Sequence, residues 1–231
     1  MPVALITGAS RGLGLAIARD LAADGWALVI DARGTEGLNA AVAELSRVTN
    51  VAAFAGDVAD DAHREKLIDA AAAVGGVDLL VNNASVLGPS PQPRLADYPL
   101  EVLAHVYDVN VIAPVALAQR ALPQLRGRNG TIVNITSDAG VEPYDGWGGY
   151  GSSKAALEQV GKILGAEEPD VRVYTFDPGD MRTQMHQEAF PGEDISDRPE
   201  PETVIPALRR LLRDRPPSGR YRAADLTPVT P

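Results

Sequence analysis

The stretch TGASRGLG at residues 7–14 determines how the rest of the chain is interpreted. It follows a continuous apolar run at residues 3–7, and apolar residues with helical spacing, Leu13, Ile17 and Leu21, come after it. Glycines between a strand and a helix let the backbone approach a pyrophosphate, which the free N–H groups and the dipole of the helix N-terminus favour. The stretch therefore predicts a strand, an anion-binding turn and a helix.

Further along the chain, short apolar runs alternate with segments of helical period. These runs are continuous rather than alternating in polarity, as expected when helices cover both faces of a parallel sheet. We predict an α/β fold, a single Rossmann-type domain over residues 1–231 with a doubly wound parallel sheet and helices on both faces. The predicted strands are residues 3–7, 27–31, 51–55, 78–82, 131–136 and 171–176.

Composition excludes several classes of function. The chain has 231 residues, of which 31 are acidic and 21 basic, so its net charge is −10 and it repels nucleic acids and anionic membranes. It has no cysteine, and its three histidines lack the spacing of metal ligands, so we expect no metal site. The N-terminus lacks the basic region of a signal peptide, and no uninterrupted apolar stretch reaches the ~18 residues that span a bilayer. We therefore expect a cytoplasmic protein.

Two proline-containing segments interrupt the regular pattern, at residues 86–99 and 184–201. Both follow predicted strands, and ligands of open α/β sheets bind at the carboxyl ends of the strands. We predict that both are irregular loops that line a substrate pocket. Aromatic residues in and near them favour a partly apolar ligand, and acids such as Glu188 and Glu193 disfavour a strongly anionic one.

The glycine-rich stretch also matches GxSxG, the nucleophile motif of α/β-hydrolases. Ser10 would be the nucleophile, with Asp177 or Asp180 and His186 downstream in the order those enzymes use. A nucleophile after the first strand, however, has no upstream strand and loop to supply the second oxyanion donor. A serine hydrolase is therefore the alternative to a dinucleotide-binding protein.

Further motifs follow the glycine-rich turn in a fixed order, and together they resemble the short-chain dehydrogenase/reductase family over nearly the whole chain. They are Asp57-Val58, Asn82-Asn83-Ala84, Asn110, Ser137, YGSSK at residues 150–154, and Pro178-Gly179 with Thr183. The resemblance implies an NAD(P)-dependent oxidoreductase that interconverts a secondary alcohol and a ketone or aldehyde. It also implies a small-molecule substrate and a homo-oligomer, a dimer or tetramer. A dinucleotide-binding sensor without turnover is a further alternative.

The residues themselves suggest the chemistry. Tyr150 and Lys154 are at positions i and i+4, so on a helix they lie on one face. An ammonium and a nicotinamide cation would lower the pKa of the phenol from about 10, so that Tyr150 exchanges a proton with the substrate oxygen. Ser137 would hydrogen-bond the same oxygen. Pro114 leaves the carbonyl of Asn110 without a helical donor, and the resemblance implies that Asn110 holds a water that relays protons to Lys154.

The resemblance also assigns cofactor contacts and bears on the choice of cofactor. Ala32 falls where NAD-preferring enzymes carry an acid, and Arg33 and Arg11 could bind a 2′-phosphate, so we predict NADP over NAD. The preference reverses if Asp31 points at the ribose. Two positions differ from the pattern of the family. Ser85 stands where the family often has Gly, and Thr136 replaces a common Ser or Gly. The predicted cofactor-binding residues are Gly8, Ser10, Arg11, Gly12, Leu13, Gly14, Arg33, Asp57, Val58, Asn83, Ala84, Tyr150, Lys154, Pro178, Gly179 and Thr183.

Overall fold

A seven-stranded parallel sheet forms the centre of the protein. The computed structural model describes residues 1–226. The strand order is β3-β2-β1-β4-β5-β6-β7, so the order reverses direction beside β1. The strands are β1 Val3–Ile6, β2 Ala27–Ala32, β3 Val51–Ala55, β4 Leu79–Asn82, β5 Thr131–Ile135, β6 Arg172–Asp177 and β7 Gly219–Arg222.

Helices cover both faces of this sheet. Successive residues of β1 pack on opposite faces: Ala4 and Ile6 belong to one apolar cluster, and Val3 and Leu5 belong to another. The predicted doubly wound α/β fold is therefore confirmed. The helices are α1 Gly12–Ala23, α2 Thr35–Leu45, α3 Asp61–Ala73, α4 Leu100–Tyr107, α5 Ala113–Arg126, α6 Gly148–Glu167, α7 Gln184–Ala189, α8 Ile205–Asp214 and α9 Ala223–Leu226.

The reversal of strand order positions the functional site. In sheets of this type, the chain leaves neighbouring strands in opposite directions at such a point, and a crevice opens at their carboxyl ends. The glycine-rich stretch lies there, between the end of β1 at Ile6 and the start of α1 at Gly12. The predicted strand, turn and helix are thus present at the place where ligands of this fold bind.

The structure corrects the prediction in two places. The seventh strand, β7, was not predicted, because its sequence, GRYR, contains a single apolar residue. Residues 184–201 are not wholly irregular, since they begin with α7. The side chain of Thr183 accepts a hydrogen bond from the His186 N–H and so caps this helix, and the prolines begin only at Pro191. Residues 86–94 are irregular as predicted, and a short 3₁₀ turn follows at Leu95–Asp97.

The helical run Leu100–Arg126 contains a π-helical turn at Asp108–Ile112. By length and composition alone this run could cross a membrane, with a mean hydropathy of 1.4, although 44% of that window is buried inside the fold. Core helices of globular proteins pass the same test, so the absence of a membrane partner stays a prediction. So does the extent of the domain over residues 1–231, since residues 227–231 lie outside the described part of the chain.

Candidate active site

A cleft of about 1420 Å³ opens at the carboxyl ends of the strands and brings the sequence-predicted residues together. Among the predicted catalytic residues, Ser137 and Tyr150 line this cleft, whereas Asn110 and Lys154 lie behind its wall. The predicted cofactor residues that line it are Gly8, Ser10, Arg11, Gly12, Leu13, Gly14, Arg33, Asp57, Val58, Asn83, Ala84, Tyr150, Pro178, Gly179 and Thr183.

The glycine-rich turn depends on glycine at specific positions. Gly8 and Gly12 have φ values of +67° and +55°, in the left-handed region that other residues rarely adopt. At Gly14 the constraint is space rather than φ. A Cβ added there would lie 2.5 Å from the Gly8 carbonyl oxygen and 2.6 Å from Asn83 Nδ2. The start of α1 therefore packs directly against the turn, and its backbone is exposed to the cleft.

Side chains from β1 and the end of β4 hold this turn in place. Asn83 Nδ2 donates to the carbonyl oxygens of Thr7 and Gly8 at 2.8 and 3.1 Å. The Thr7 hydroxyl oxygen accepts from the backbone N–H groups of Asn83 and Ala84, both at 3.0 Å. These bonds satisfy buried polar groups of both loops, so the turn has its conformation without a ligand.

The end of β2 shows which of its residues can face a cofactor. Asp31 is 1% exposed, and its carboxylate accepts from the Gly8 N–H at 2.7 Å and pairs with His63 Nε2 at 2.9 Å. The bond to the Gly8 N–H fixes the glycine-rich turn to the end of β2, and the bond to His63 holds the carboxylate in place. Asp31 also lines the cleft, and each of its oxygens can accept a second hydrogen bond, so the preference for NADP over NAD stays a prediction.

The two arginines predicted to bind a 2′-phosphate have different surroundings. Arg33 is exposed, lines the cleft, and forms no hydrogen bond or ion pair with any of residues 1–226. Arg11 also lines the cleft, but its guanidinium donates to Gln184 Oε1 in α7. Arg33 is therefore the better placed of the two to bind an anion beyond β2.

The remaining predicted cofactor residues line other parts of the cleft. Val58 is buried, and its carbonyl accepts from Arg64 Nη1 at 2.6 Å, which fixes the loop after β3. At the other end, Gly179 has a φ of +74° and its N–H donates to Asp177 Oδ1 at 3.0 Å. The hydroxyl of Thr183 keeps its own proton free to donate while its oxygen caps α7.

Tyr150 and Lys154 lie on one face of α6, as their spacing predicts. The Lys154 Nζ is 5.3 Å from the centroid of the Tyr150 ring and donates to the Ile135 carbonyl at 2.8 Å. Tyr150 is 8% exposed and Lys154 is 2% exposed. The phenol thus borders the cleft, and the ammonium approaches it from the protein side.

Burial shifts the pKa values of both groups. Burial raises the pKa of the Tyr150 hydroxyl well above its ordinary value, and the negative charges of Asp177 and Asp138 act in the same direction. Hydrogen bonds from Ser137 and Ser85 oppose this rise. Burial also lowers the pKa of Lys154 to about 8. The sequence predicts a lowered pKa for the Tyr150 phenol when a nicotinamide cation lies nearby. Without that cation, the protein residues raise the pKa.

Ser137 lies two residues after the end of β5 and caps a short 3₁₀ turn at Asp138–Gly140. Its hydroxyl oxygen accepts from the Ala139 N–H at 3.2 Å, and its proton points to Asp138 Oδ1 at 3.0 Å. Asp138 Oδ2 in turn accepts from the Tyr144 hydroxyl at 2.9 Å. The hydroxyl of Ser137 therefore belongs to a chain of polar groups along the cleft wall.

Asn110 occupies the π-helical turn behind Tyr150. Its Oδ1 accepts from the Ser85 hydroxyl at 3.0 Å and the Val86 N–H at 2.9 Å, and its Nδ2 donates to the Val86 carbonyl and the Ser153 hydroxyl. The side chain thus fixes the loop after β4 against α6. Pro114, four residues on, has no N–H to donate to the Asn110 carbonyl, and the relay water stays a prediction.

Sequence reasoning missed a group of residues beneath the catalytic ones. Arg220 on β7 donates to Asp177 Oδ2 at 2.7 Å and to Glu158 Oε1 at 2.9 Å. The Thr136 hydroxyl donates to the same Glu158 oxygen at 2.9 Å. This network links the residue before Ser137 to the loop after β6. The two arginines of the β7 sequence, GRYR, are unusual for a strand, but the sequence alone does not show which residues they contact.

The geometry does not assemble the alternative hydrolase site. Ser10 lies in the glycine-rich turn beside Gly37 of α2, and within residues 1–226 no hydrogen bond joins it to a histidine. His186 Nδ1 is 3.9 Å from Asp180 Oδ1, too far for a direct hydrogen bond. Among the same residues, no group of three or more His, Asp or Glu side chains could hold a metal.

Comparison with known proteins identifies the family of the chain. The family described as short chain dehydrogenase matches residues 2–194 of the chain. The chain belongs to the short-chain dehydrogenase family. Members of this family bind a nicotinamide dinucleotide and act on small molecules as oxidoreductases.

Curated relatives and solved structures support the assignment. Dehydrogenase/reductase SDR family member 4 from Bos taurus is 39% identical over 192 residues, which cover 79% of this chain and 67% of the relative. An alcohol dehydrogenase from the archaeon Thermococcus sibiricus, solved with 5-hydroxy-NADP, has a TM-score of 0.86 and 31% identity, covering 96% of this chain and 95% of that one. A short chain dehydrogenase from Shigella flexneri, solved with NADP, has a TM-score of 0.87 and 28% identity, covering 96% and 97%.

Proposed function

We propose that this short-chain dehydrogenase interconverts a secondary alcohol and a ketone or aldehyde with NADP(H), and that Tyr150 is its general acid and base. The observation that carries the proposal is the position of the Tyr150 phenol. It borders the cleft, Ser137 lines the same cleft, and the Lys154 ammonium lies 5.3 Å from its ring.

The residues around the cleft fit a nicotinamide dinucleotide, because the exposed backbone of the glycine-rich turn can take its pyrophosphate. When bound, the nicotinamide supplies or accepts the hydride. Ser137 and Tyr150 then hold the substrate oxygen between their hydroxyls. In reduction, the phenol donates its proton to that oxygen, and its raised pKa keeps the proton available at neutral pH.

In oxidation, Tyr150 must accept a proton, so its anionic form needs a nearby positive charge. Lys154 provides this charge, and its bond to the Ile135 carbonyl keeps it in position. Its pKa of about 8 lets it exchange a proton near neutral pH. We propose that Asn110, whose carbonyl receives no hydrogen bond from Pro114, holds the water through which that proton reaches solvent.

The preference for NADP is supported by the end of β2. Asp31 is committed to Gly8 and His63, Ala32 carries no acceptor, and Arg33 is exposed at the cleft without a partner in the described chain. A 2′-phosphate has an unpaired guanidinium to bind there, whereas the nearby carboxylate, Asp31, is already bonded through both of its oxygens.

Replacing Tyr150 by Phe tests the function. We expect turnover of a carbonyl panel with NADPH to fall by about 10²- to 10⁴-fold, the usual contribution of general acid–base catalysis, with the NADPH dissociation constant nearly unchanged. Tyr98→Phe is the matched control, since Tyr98 is buried outside the cleft and its hydroxyl has no partner in residues 1–226. Normal turnover in Tyr150→Phe would refute the role.

The same assays test the alternatives. Cofactor binding without turnover across a panel of alcohols and carbonyls would identify a sensor. Covalent labelling by a fluorophosphonate that is lost in Ser10→Ala would identify a hydrolase.

We also propose a cytoplasmic homo-oligomer. The assembly is supported by apolar side chains exposed on the helices that carry the catalytic residues. Ile112 is 53% exposed beside Asn110, and Ile163 is 48% exposed on α6. Sedimentation of the purified protein, alone and with Ile163→Glu, would test whether these positions are an interface.

A further inference from the structure

Asp138 is a charged group directly beside the proposed reacting atoms. It follows Ser137 in the chain, its side chain is exposed, and it lines the cleft. Its two oxygens accept from the hydroxyls of Ser137 and Tyr144. Each carboxylate oxygen can accept a further hydrogen bond, so Asp138 retains capacity for a ligand.

The charge of Asp138 is not neutralised by the protein. Within residues 1–226, no Lys, Arg or His side chain forms an ion pair with it. The neighbouring acids differ. Asp177 is paired with Arg220, and Asp180 lies 3.6 Å from Arg198 Nε. Arg182, which also lines the cleft, forms an ion pair with Glu200 rather than with Asp138.

Aromatic rings extend from Asp138 along the same wall. The ring centroids of Tyr144 and Trp147 are 6.2 Å apart, and those of Trp147 and Tyr150 are 5.9 Å apart. Phe190 of the opposite loop lies 5.9 Å from Trp147. Aromatic faces beside an unpaired carboxylate are a surface that attracts an organic ammonium group, through cation–π and charge-assisted contacts.

We propose that Asp138 is a specificity residue that selects substrates with a protonated amine on the carbon next to the reacting carbinol or carbonyl. This inference rests on the proposed oxidoreductase function. Ser137 holds the reacting oxygen, and Asp138 is the next residue. Asp138 Oδ1 lies 3.0 Å from Ser137 Oγ, so a donor one carbon away from the reacting centre is within reach of the carboxylate. The net charge of −10 favours entry of a cationic substrate as well.

Three matched alcohols separate the contributions of charge and of hydrogen bonding. We would measure NADP-dependent oxidation of 2-amino-1-phenylethanol, 1-phenylethane-1,2-diol and 1-phenylpropan-1-ol, which differ only in the group beside the carbinol. The wild-type protein should favour the amine over the alkyl compound by about 10-fold or more in kcat/KM, as for a hydrogen bond to a charged group. The diol should fall between them.

Asp138→Asn keeps the shape of the side chain and an oxygen acceptor but removes the charge. We expect the preference of this variant for the amine to disappear, mainly through a change in KM. An indirect effect on Ser137 would instead lower kcat/KM for all three substrates by the same factor. Glu142→Gln is the matched control, because Glu142 is an exposed acid that lies four residues away and does not line the cleft. It should keep the wild-type preference.

The outcomes distinguish this inference from the function on which it rests. Oxidation of all three alcohols with equal efficiency, or an equal loss for all three in Asp138→Asn, overturns the role of Asp138 and leaves the oxidoreductase intact. Preference for the amine that survives in Asp138→Asn does the same. Failure of the wild-type protein to oxidise any of these or a broader panel of alcohols overturns both.

Discussion

The two halves of the cleft are built in different ways. The cofactor half, which comprises residues 7–14, 31–33, 56–58 and 82–84, is held by buried bonds from Asp31, Thr7 and Asn83. The substrate half, which comprises residues 86–99, 138–147 and 184–200, has largely exposed side chains and exposed ion pairs such as Arg94 with Asp145. The cofactor half is therefore preformed, and the substrate half can adjust its side chains to a ligand.

The largest expected effect concerns the packing of the cofactor half. In Gly14→Ala, the new Cβ would collide with the Gly8 carbonyl at 2.5 Å, and the rigid turn has little room to move. Relieving the clash shifts the turn at a cost of up to about 3 kcal/mol, and binding NADPH requires the unshifted turn, so we expect the affinity to fall by up to about 100-fold. Fluorescence titration measures this.

Gly127→Ala is its control, because the nearest atom to a Cβ there is the Gln124 carbonyl oxygen at 3.9 Å. Unchanged affinity in Gly14→Ala would show that the cofactor half is as adaptable as the substrate half.

The second effect concerns Lys154, at the border of the two halves. Its pKa falls from 10.5 to about 8 on burial, which at about 1.36 kcal/mol per unit destabilises the fold by roughly 3 kcal/mol below pH 8. Lys154→Met removes this cost but also the bond to the Ile135 carbonyl, which is worth about 1 kcal/mol. We expect the ligand-free variant to gain about 2 kcal/mol of stability and to lose activity.

The pH dependence gives an independent check. Between about pH 8 and pH 10.5, the unfolded chain binds the Lys154 proton and the folded chain does not, so stability from this group rises with pH. Urea unfolding at several pH values should show this rise in the wild type but not in Lys154→Met. Parallel curves for the two proteins would contradict the burial of a titrating ammonium.

The third effect separates two residues at the end of β2. Arg33→Ala should weaken NADPH binding by about 10-fold or more and leave NADH binding nearly unchanged, since only NADPH has the phosphate. Asp31→Asn should lower stability, because Asp31 is bonded to Gly8 and His63, without altering the ratio of the two affinities. A changed ratio in Asp31→Asn would place its carboxylate at the ribose after all.

The smallest effect is expected in the substrate half. Phe190 is half-buried and contacts the rings of Trp147 and His186. We expect Phe190→Ala to change the free energy of unfolding by about 1 kcal/mol or less, near the range of surface substitutions. The KM of an aromatic alcohol should rise several-fold. A large loss of stability would mean that this loop is as firmly built as the cofactor half.

The sequence predicted the cofactor half better than the substrate half for a physical reason. Glycines, a buried strand and a helix start are local features, so residues 7–14 reveal their turn without knowledge of distant contacts. The spacing of Tyr150 and Lys154 is local in the same way.

The features that were missed depend on contacts between distant segments. Arg220 meets Glu158 across 62 positions, and Arg11 meets Gln184 across 173. The cap that makes α7 helical was overlooked because prolines beyond it dominated the composition. The absence of an ion pair at Asp138, likewise, can be recognised only when the positions of the neighbouring charged side chains are known.

The bonds of Arg220 bear on when the protein becomes competent during synthesis. β7 follows the other six strands of residues 1–226 in the chain, yet its Arg220 binds Asp177 and Glu158 beneath Tyr150. A nascent chain that lacks these residues has its dinucleotide turn and its tyrosine, but the loop at Pro178-Gly179 has no arginine to hold it. The network beneath Tyr150 is therefore complete only after β7 has been synthesised and has joined the sheet.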